Sequence, residues 1–220
     1  MPINKEMYLG LDDKHLSDYQ GFKATKKALE ALKELQNDAL LQGLSIDIAS
    51  SFRSFERQFL IFDEKYQGKR VVLDANEQPL DIKNFSPEAK CEAILRFSAI
   101  PGMSRHHFGT DFDIYSKKLL PKNQKLKLTA YEYDKGKYFY PLKLYLEKNL
   151  QKFGFIEPFL GNSFISYEPW HISYISEAQE FIKAFDIDEE ISLLNQHERE
   201  WTPYIIKKIK SLNKKLLGVL

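Results

Sequence analysis

The sequence holds a single cysteine, Cys91. No internal disulfide can form, and the cysteine-rich zinc ribbons are excluded. No apolar run approaches the ~20 residues that span a bilayer, so membrane insertion is not expected. Charge of one sign is not in excess either. The formal net charge is +1, and the broad basic footprint of a nucleic-acid binder is missing, so nucleic acid is not an expected partner. The first residues, Met1 to Glu6, lack the basic-then-apolar plan of a secretory signal. The chain as it stands is therefore expected in the cytoplasm; a signal removed ahead of it would move that expectation to the periplasm or cell envelope. Internal repeats and low-complexity segments are also lacking. What is present is 220 residues, 43% of them hydrophobic, which is enough for a substantial core and argues against global disorder.

Periodicity outlines an α+β chain. Residues 1–15 read as irregular, with His15 an ordinary surface or capping residue. Lys26 to Gln42 has apolar residues at helical spacing and Gly43 as its stop. Leu44 to Ala49 alternates as a strand. Ser50 and Ser51 can open a helix whose apolar face is Phe55, Phe59 and Phe62. Residues 66–85 read as an excursion with a short hairpin. Ser86-Pro87-Glu88 starts another helix, ended by Pro101-Gly102, and Cys91 inside it reads as a buried structural thiol. Residues 110–115 alternate as a strand, and 116–137 form a lysine-rich surface excursion and candidate lid. Pro141 to Phe153 reads as a helix stopped by Gly154. Phe155-Ile156 and Ile165 to Ile175 read as strands, the second interrupted at Pro169. From Glu177 the chain looks helical, with Trp201, Tyr204, Ile205, Ile209 and Leu212 as a packing stripe and His197 exposed. The expectation is a small antiparallel sheet flanked by helices, with a helical C-terminal tail. One domain spans 1–220, with its core at about 26–175 and its tail at about 176–220.

Chemistry concentrates in Ser104-Arg105-His106-His107-Phe108-Gly109-Thr110-Asp111-Phe112-Asp113. Histidine and aspartate are costly to bury without partners. Period-two alternation puts Asp111 and Asp113 on one strand face. Gly109 can turn the chain so that His106 or His107 folds back beside Asp113. An imidazole and a carboxylate are zinc ligands, but a site needs a third. Glu168-Pro169-Trp170-His171 offers it in His171, with Glu168 placed to act as general base for a water at the open fourth position. Arg53 falls where a strand meets a helix, a common place for a binding residue. Two other readings of these residues are a zinc-stabilised binding module without turnover and a structural polar network without metal.

The pattern Ser104-x-His106-x-x-Gly109-x-x-x-Asp113 followed by Glu168-x-x-His171 resembles the VanY-type D-alanyl-D-alanine carboxypeptidases. These sit within the zinc peptidases that include lysostaphin and the hedgehog fold. Ser51-Phe52-Arg53-Ser54 and Gln58 resemble the same family's serine-aromatic-arginine-serine block and downstream glutamine. The likeness runs from about Leu44 to Ile175 and leaves 176–220 uncovered. It implies one catalytic zinc ion on His106, Asp113 and His171, with Glu168 as the base and His107 outside the ligand set. It implies that Arg53 steadies the scissile carbonyl or the substrate carboxylate, with Gln58 and Ser104 in the substrate pocket. The implied reaction removes a C-terminal D-amino acid from peptidoglycan stem peptides or muropeptides, with D,D or L,D specificity left open. The missing signal favours a tetrapeptide carboxypeptidase acting on recycled muropeptides. Asp111 stands where the family often has a small residue; it can orient a ligand histidine or narrow the pocket.

Overall fold

Three of the long helices begin where a side-chain oxygen takes up a free backbone N–H. In the computed structural model, which describes residues 2–161 and 165–218, Thr25 accepts from Ala28 N–H, Ser54 from Arg57 N–H and Ser86 from Ala89 N–H. The elements run α1 (Lys5–Tyr8), β1 (Ser17–Tyr19), β2 (Phe22–Ala24), α2 (Lys26–Leu41), β3 (Asp47–Ser50), α3 (Phe55–Tyr66), β4 (Val72–Leu73), β5 (Pro79–Leu80) and α4 (Pro87–Leu95). After a 3-10 turn at Arg105–Phe108 come β6 (Asp111–Tyr115), α5 (Ala130–Tyr133), α6 (Tyr140–Asn149), β7 (Phe155–Ile156), β8 (His171–Tyr174), α7 (Ile175–Ala184), α8 (Ile187–Gln196) and α9 (Thr202–Leu212). A last 3-10 turn covers Asn213–Leu217.

The main sheet has four strands in the order β3-β6-β8-β7, all antiparallel. Asp113 pairs directly with His171, and Asp111 with Ser173. Directly opposed residues share a face, so these four side chains lie together. The alternate residues, Ile48, Phe112, Ile114 and Ile172, are buried on the other face against Leu29, Leu32 and Leu35 of α2 and Leu142 and Leu146 of α6. Burying each such side chain is worth about 1.5–3 kcal/mol, and slipping the register by one residue would turn all of them toward the polar side. A second apolar cluster joins α3, α4 and the tail helices through Phe62, Ile94, Trp201, Ile205 and Ile209. Trp201 sits against Phe62 at 4.8 Å between ring centres and donates its indole N–H to Asp63 at 3.0 Å. The expected tail stripe therefore packs on the domain, and no helix among the described residues is long and apolar enough to cross a membrane.

Several boundaries differ from the sequence reading. Leu44 N–H bonds back to Ala39 O at 3.0 Å, closing the end of α2, so the strand begins only at Asp47. The strand expected from Ile165 begins at His171, because His171 N–H closes a turn on Glu168 O at 3.0 Å. The β1–β2 hairpin and α1, capped by Asn4, lie in stretches read as irregular or left without assignment. His15 is not a surface residue: its ring packs 5.8 Å from Phe181 and its Nε2 lies 3.4 Å from Phe108 O. His197 is half-buried, edge-on to Phe55 at 5.0 Å. Cys91 is buried as expected, and burial pushes its thiol up to about 12.

Glu190 of α8 is fully buried, and neither carboxyl oxygen has a hydrogen-bond partner among the described residues. It presses on Gly102, where an added Cβ would lie 1.8 Å from Oε2 and where φ is +86°. Burial raises its pKa well above the ordinary range, so the group is carried neutral. An unfolded glutamate titrates near about 4.3. The native state then binds the extra proton, and stability falls as pH rises from there toward the folded pKa. Glu190→Gln is expected to flatten the decline of Tm between pH 5 and pH 9. Equal slopes for both proteins in thermal melts would show that Glu190 is not buried neutral.

Candidate metal centre and active site

Gly109 adopts the left-handed conformation, φ +71°, directly after the 3-10 turn. That reversal lays His106 against β6, with its Nε2 3.2 Å from Asp113 Oδ2. On the other side His171 Nδ1 lies 3.2 Å from Asp113 Oδ1. His106, Asp113 and His171 each offer one ligand atom, and these atoms lie within 4.8 Å of one another. Neighbouring ligand atoms of a tetrahedral zinc, at bond lengths near 2.0–2.1 Å, stand roughly 3.3 Å apart. The 3.2 Å separations run to the two different Asp113 oxygens, each close to that edge, and two imidazoles with one carboxylate are a donor set zinc favours. The three residues fit the ion.

His107, adjacent to His106, is excluded by its own bonds. Its Nδ1–H donates to Arg53 O at 2.5 Å, and its Nε2 accepts from Gly102 N–H at 3.0 Å. Both nitrogens are used, and burial takes its pKa down to about 3. The ring is a neutral brace between the Arg53 junction and the loop before Ser104. Residue chemistry alone left His106 and His107 equivalent and the family resemblance put His107 outside the ligand set; this pair of hydrogen bonds supplies a physical reason.

Asp111 lies behind His171, away from Asp113. Its Oδ1 accepts from His171 Nε2–H at 2.9 Å and from Arg105 Nε at 2.7 Å. Its Oδ2 accepts from Thr110 Oγ1 at 2.5 Å and from Ser173 Oγ at 3.1 Å. A carboxylate has about four lone-pair sites, and all are filled. The bond to Nε2 puts the proton there and leaves Nδ1 as the ligating atom. Burial pushes Asp111 upward, but Arg105 and His171 outweigh it and hold the carboxyl far below the usual range. Burial likewise opposes charge on Asp113, and His106 and His171 overcome it. Burial alone would keep His171 neutral; the Asp111 and Asp113 carboxylates instead raise it to about 9. The position draws a cation, either a proton or a metal ion that displaces it.

Arg105 is fully buried and was not singled out from the sequence. Besides Asp111 it donates to Ser173 Oγ and, through Nη1, to Leu217 O at 2.9 Å. The C-terminal turn is thereby tied to the residue that orients His171. Only the fold brings residues 105, 111, 173 and 217 together.

These groups open onto a cavity of about 240 Å³ lined by Arg53, Ser104, His106, Asp113, Glu168 and His171, with Phe159 and Trp170 among its apolar walls. Lys127 and Leu128 of the 116–137 excursion also reach it. Glu168 Oε2 lies 3.6 Å from His171 Nδ1. Burial raises Glu168 to about 7, with His171 acting downward, Asp113 upward, and Arg53 and Lys65 downward. Arg53 Nη1 donates to Gln58 Oε1 at 2.8 Å and Nη2 to Ser50 Oγ at 3.3 Å. Gln58 does not line the cavity where the sequence reading placed it. It is fully buried behind Arg53, and its Nε2 donates to Ala99 O at 2.6 Å, so it aims the guanidinium. A larger open cleft, about 830 Å³ beside Tyr66 and Arg70, contains none of these groups.

The family described as VanY, D-alanyl-D-alanine carboxypeptidase, matches residues 21–177. An uncharacterized protein of Haemophilus influenzae is 46% identical over 83 residues, covering 36% of this chain and 63% of that relative. The chain thus spans less than two thirds of that relative's length. Among solved structures, a glutamate-to-alanine variant of the vancomycin-resistance D,D-pentapeptidase VanY, in complex with Zn(II), superposes with a TM-score of 0.55 at 21% identity, covering 86% of this chain and 92% of that one. The LD-carboxypeptidase LdcB superposes with a TM-score of 0.51 at 21% identity, covering 86% of this chain and 71% of that one. At these identities the structural likeness is one of fold.

Asp111→Asn removes the charge that holds both His171 and Arg105. Zinc affinity is expected to fall roughly 10–100-fold, read by competition with a chelator. Leaving Arg105 buried and unpaired should also lower unfolding free energy by about 3–5 kcal/mol, read by urea titration. Undiminished zinc affinity in the folded variant would remove the orienting role.

Proposed function

The chain belongs to the VanY family of D-alanyl-D-alanine carboxypeptidases, and we propose that it is a zinc-dependent hydrolase releasing a C-terminal D-amino acid from peptidoglycan stem peptides. The observation that carries this reading is the juxtaposition of three ligand atoms with a raised, buried Glu168 and the Arg53 guanidinium in one cavity. Zinc held by His106 Nε2, an Asp113 oxygen and His171 Nδ1 would supply a Lewis acid for the scissile carbonyl and acidify a water.

The protein's own groups then have distinct tasks. Glu168 takes a proton from the attacking water at its free carboxylate oxygen and returns it to the departing amine. Its pKa near 7 is suited to both halves of that transfer. Arg53, held by Gln58 and Ser50, offers a planar fork to an oxyanion or carboxylate. Ser104, buried in the cavity wall, has its hydroxyl available to the peptide. Phe159 and Trp170 form apolar walls that limit water around the reacting bond.

The direct test is mass spectrometry of the zinc-loaded protein with a stem pentapeptide and, separately, a stem tetrapeptide. Loss of terminal alanine from the pentapeptide alone assigns D,D activity, and loss from the tetrapeptide alone assigns L,D activity. No loss from either, with zinc bound, would overturn the reading. Glu168→Ala is expected to retain zinc and lose turnover by roughly two to four orders of magnitude, whereas His171→Ala should lose the metal in elemental analysis. For wild type, kcat/KM should rise with pH as Glu168 ionises. The bound dication favours the carboxylate, so that acidic limb should fall at or below about 7.

A further inference from the structure

Lys65 has no part in the chemistry above, yet it opens onto the same cavity as Arg53, Glu168 and the metal ligands. It stands seven residues after Gln58 on α3, so the two share a helix face. They are separated by about 10 Å along the axis, and the lysine side chain leans back toward the helix start. Its Nζ donates to Ser98 Oγ at 2.6 Å. Ser98 also lines the cavity, next to Ala99, whose carbonyl Gln58 holds. Two cations therefore line one wall of the cavity, Arg53 just ahead of α3 and Lys65 near its end.

No carboxylate pairs with Lys65 among the described residues; its hydrogen bond goes to a hydroxyl. Burial, helped by the nearby Arg53 and opposed by Glu168, lowers its pKa to about 8. A half-buried ammonium without a counter-ion is unfavourable. A dication on the three ligand atoms would leave Asp113 and Glu168 outweighed by the metal, Arg53 and Lys65. The cavity then has an excess of positive charge, and its walls at Phe97, Met103 and Trp170 are apolar. That combination recognises an anionic group carried on a largely uncharged peptide.

We propose that Lys65 and Ser98 form a carboxylate-binding subsite that holds an acidic group of the peptide substrate beside Arg53. This role presupposes the carboxypeptidase reading. The carboxylate has two sources in such a peptide, the free C-terminus and an acidic side chain. Lys65 is then a residue of specificity; the hydrolytic step stays with Glu168 and the metal.

Binding is measured by calorimetry on zinc-loaded Glu168→Ala protein, with and without Lys65→Gln. Three ligands are compared: a stem tetrapeptide with a free C-terminus, its C-terminal amide, and the free acid with its acidic side chain amidated. Lys65→Gln is expected to weaken the free-acid peptide roughly 10–100-fold, with zinc content and Tm unchanged. Lys65→Arg is expected to restore most of that binding. If the loss disappears with the C-terminal amide, Lys65 reads the terminal carboxylate; if it disappears with the amidated side chain, it reads that one. An unchanged affinity, or equal weakening for all three peptides, overturns the subsite. Should Lys65→Gln fail to fold, Ser98→Ala is read in the same way. Wild-type turnover of a stem peptide separates the two conclusions. Turnover with an unaffected Lys65→Gln sinks only the subsite, while no turnover and no peptide binding by any form sinks the carboxypeptidase reading itself.

Discussion

Everything at the site depends on the four hydrogen bonds that hold the Asp111 carboxylate. A fully buried charge survives only when its partners are in place. Arg105 neutralises it, the Thr110 and Ser173 hydroxyls fill one oxygen, and His171 fills the other. That last bond sets the tautomer of the ligand histidine and so turns Nδ1 toward Asp113. Arg105 in turn reaches Leu217 O, so the end of the helical tail closes the same network. The network passes through β6, β8, the 105–108 turn and the C-terminal turn, and each must be in register for the charge to be satisfied.

The same economy appears in the two histidines that follow Ser104. They have identical chemistry, and the chain gives them opposite environments. His106 faces Asp113 in the cavity, while His107 is locked between Arg53 O and Gly102 N–H. The brace ties the arginine junction to the metal loop, so Arg53 and His106 are held in a fixed relation before any substrate arrives. A further bond, from Arg53 N–H to His106 O at 3.1 Å, reinforces the pairing. Preorganisation of this kind is what allows a small cavity to act on a carbonyl without reorganising charged groups during the reaction.

Helix α3 plays the corresponding part on the opposite wall. Ser54 caps its start, its apolar side buries Phe55 and Phe62, Lys65 reaches the cavity, and Gln58 is buried behind Arg53. Gln58 is used to hold Arg53 and the Ala99 carbonyl, which explains why a residue of the family's motif need not touch the cavity. Lys65 lies outside that motif. Its significance appears only once it is seen to share the cavity with Arg53 and, among the described residues, to pair with a hydroxyl and no carboxylate.

The sequence by itself determined the α+β class, the main helices and the face-sharing of Asp111 and Asp113. These follow from local rules: caps, glycine stops and the fixed periods of helix and strand. Clustered ligand types pointed to Asp113, His171, Glu168 and one of His106 and His107, and the strand-to-helix junction pointed to Arg53; the family resemblance chose His106. Tertiary structure decided the rest. Which of two adjacent histidines faces Asp113 depends on the Arg53 carbonyl, 54 residues from His107, together with the nearby Gly102 N–H. The withdrawal of Gln58 behind Arg53 depends on a carbonyl 41 residues away in sequence. The partners of Arg105 lie 6, 68 and 112 residues distant. No local pattern encodes such pairings, because a buried charge is recognised by the groups that surround it and not by its neighbours along the chain.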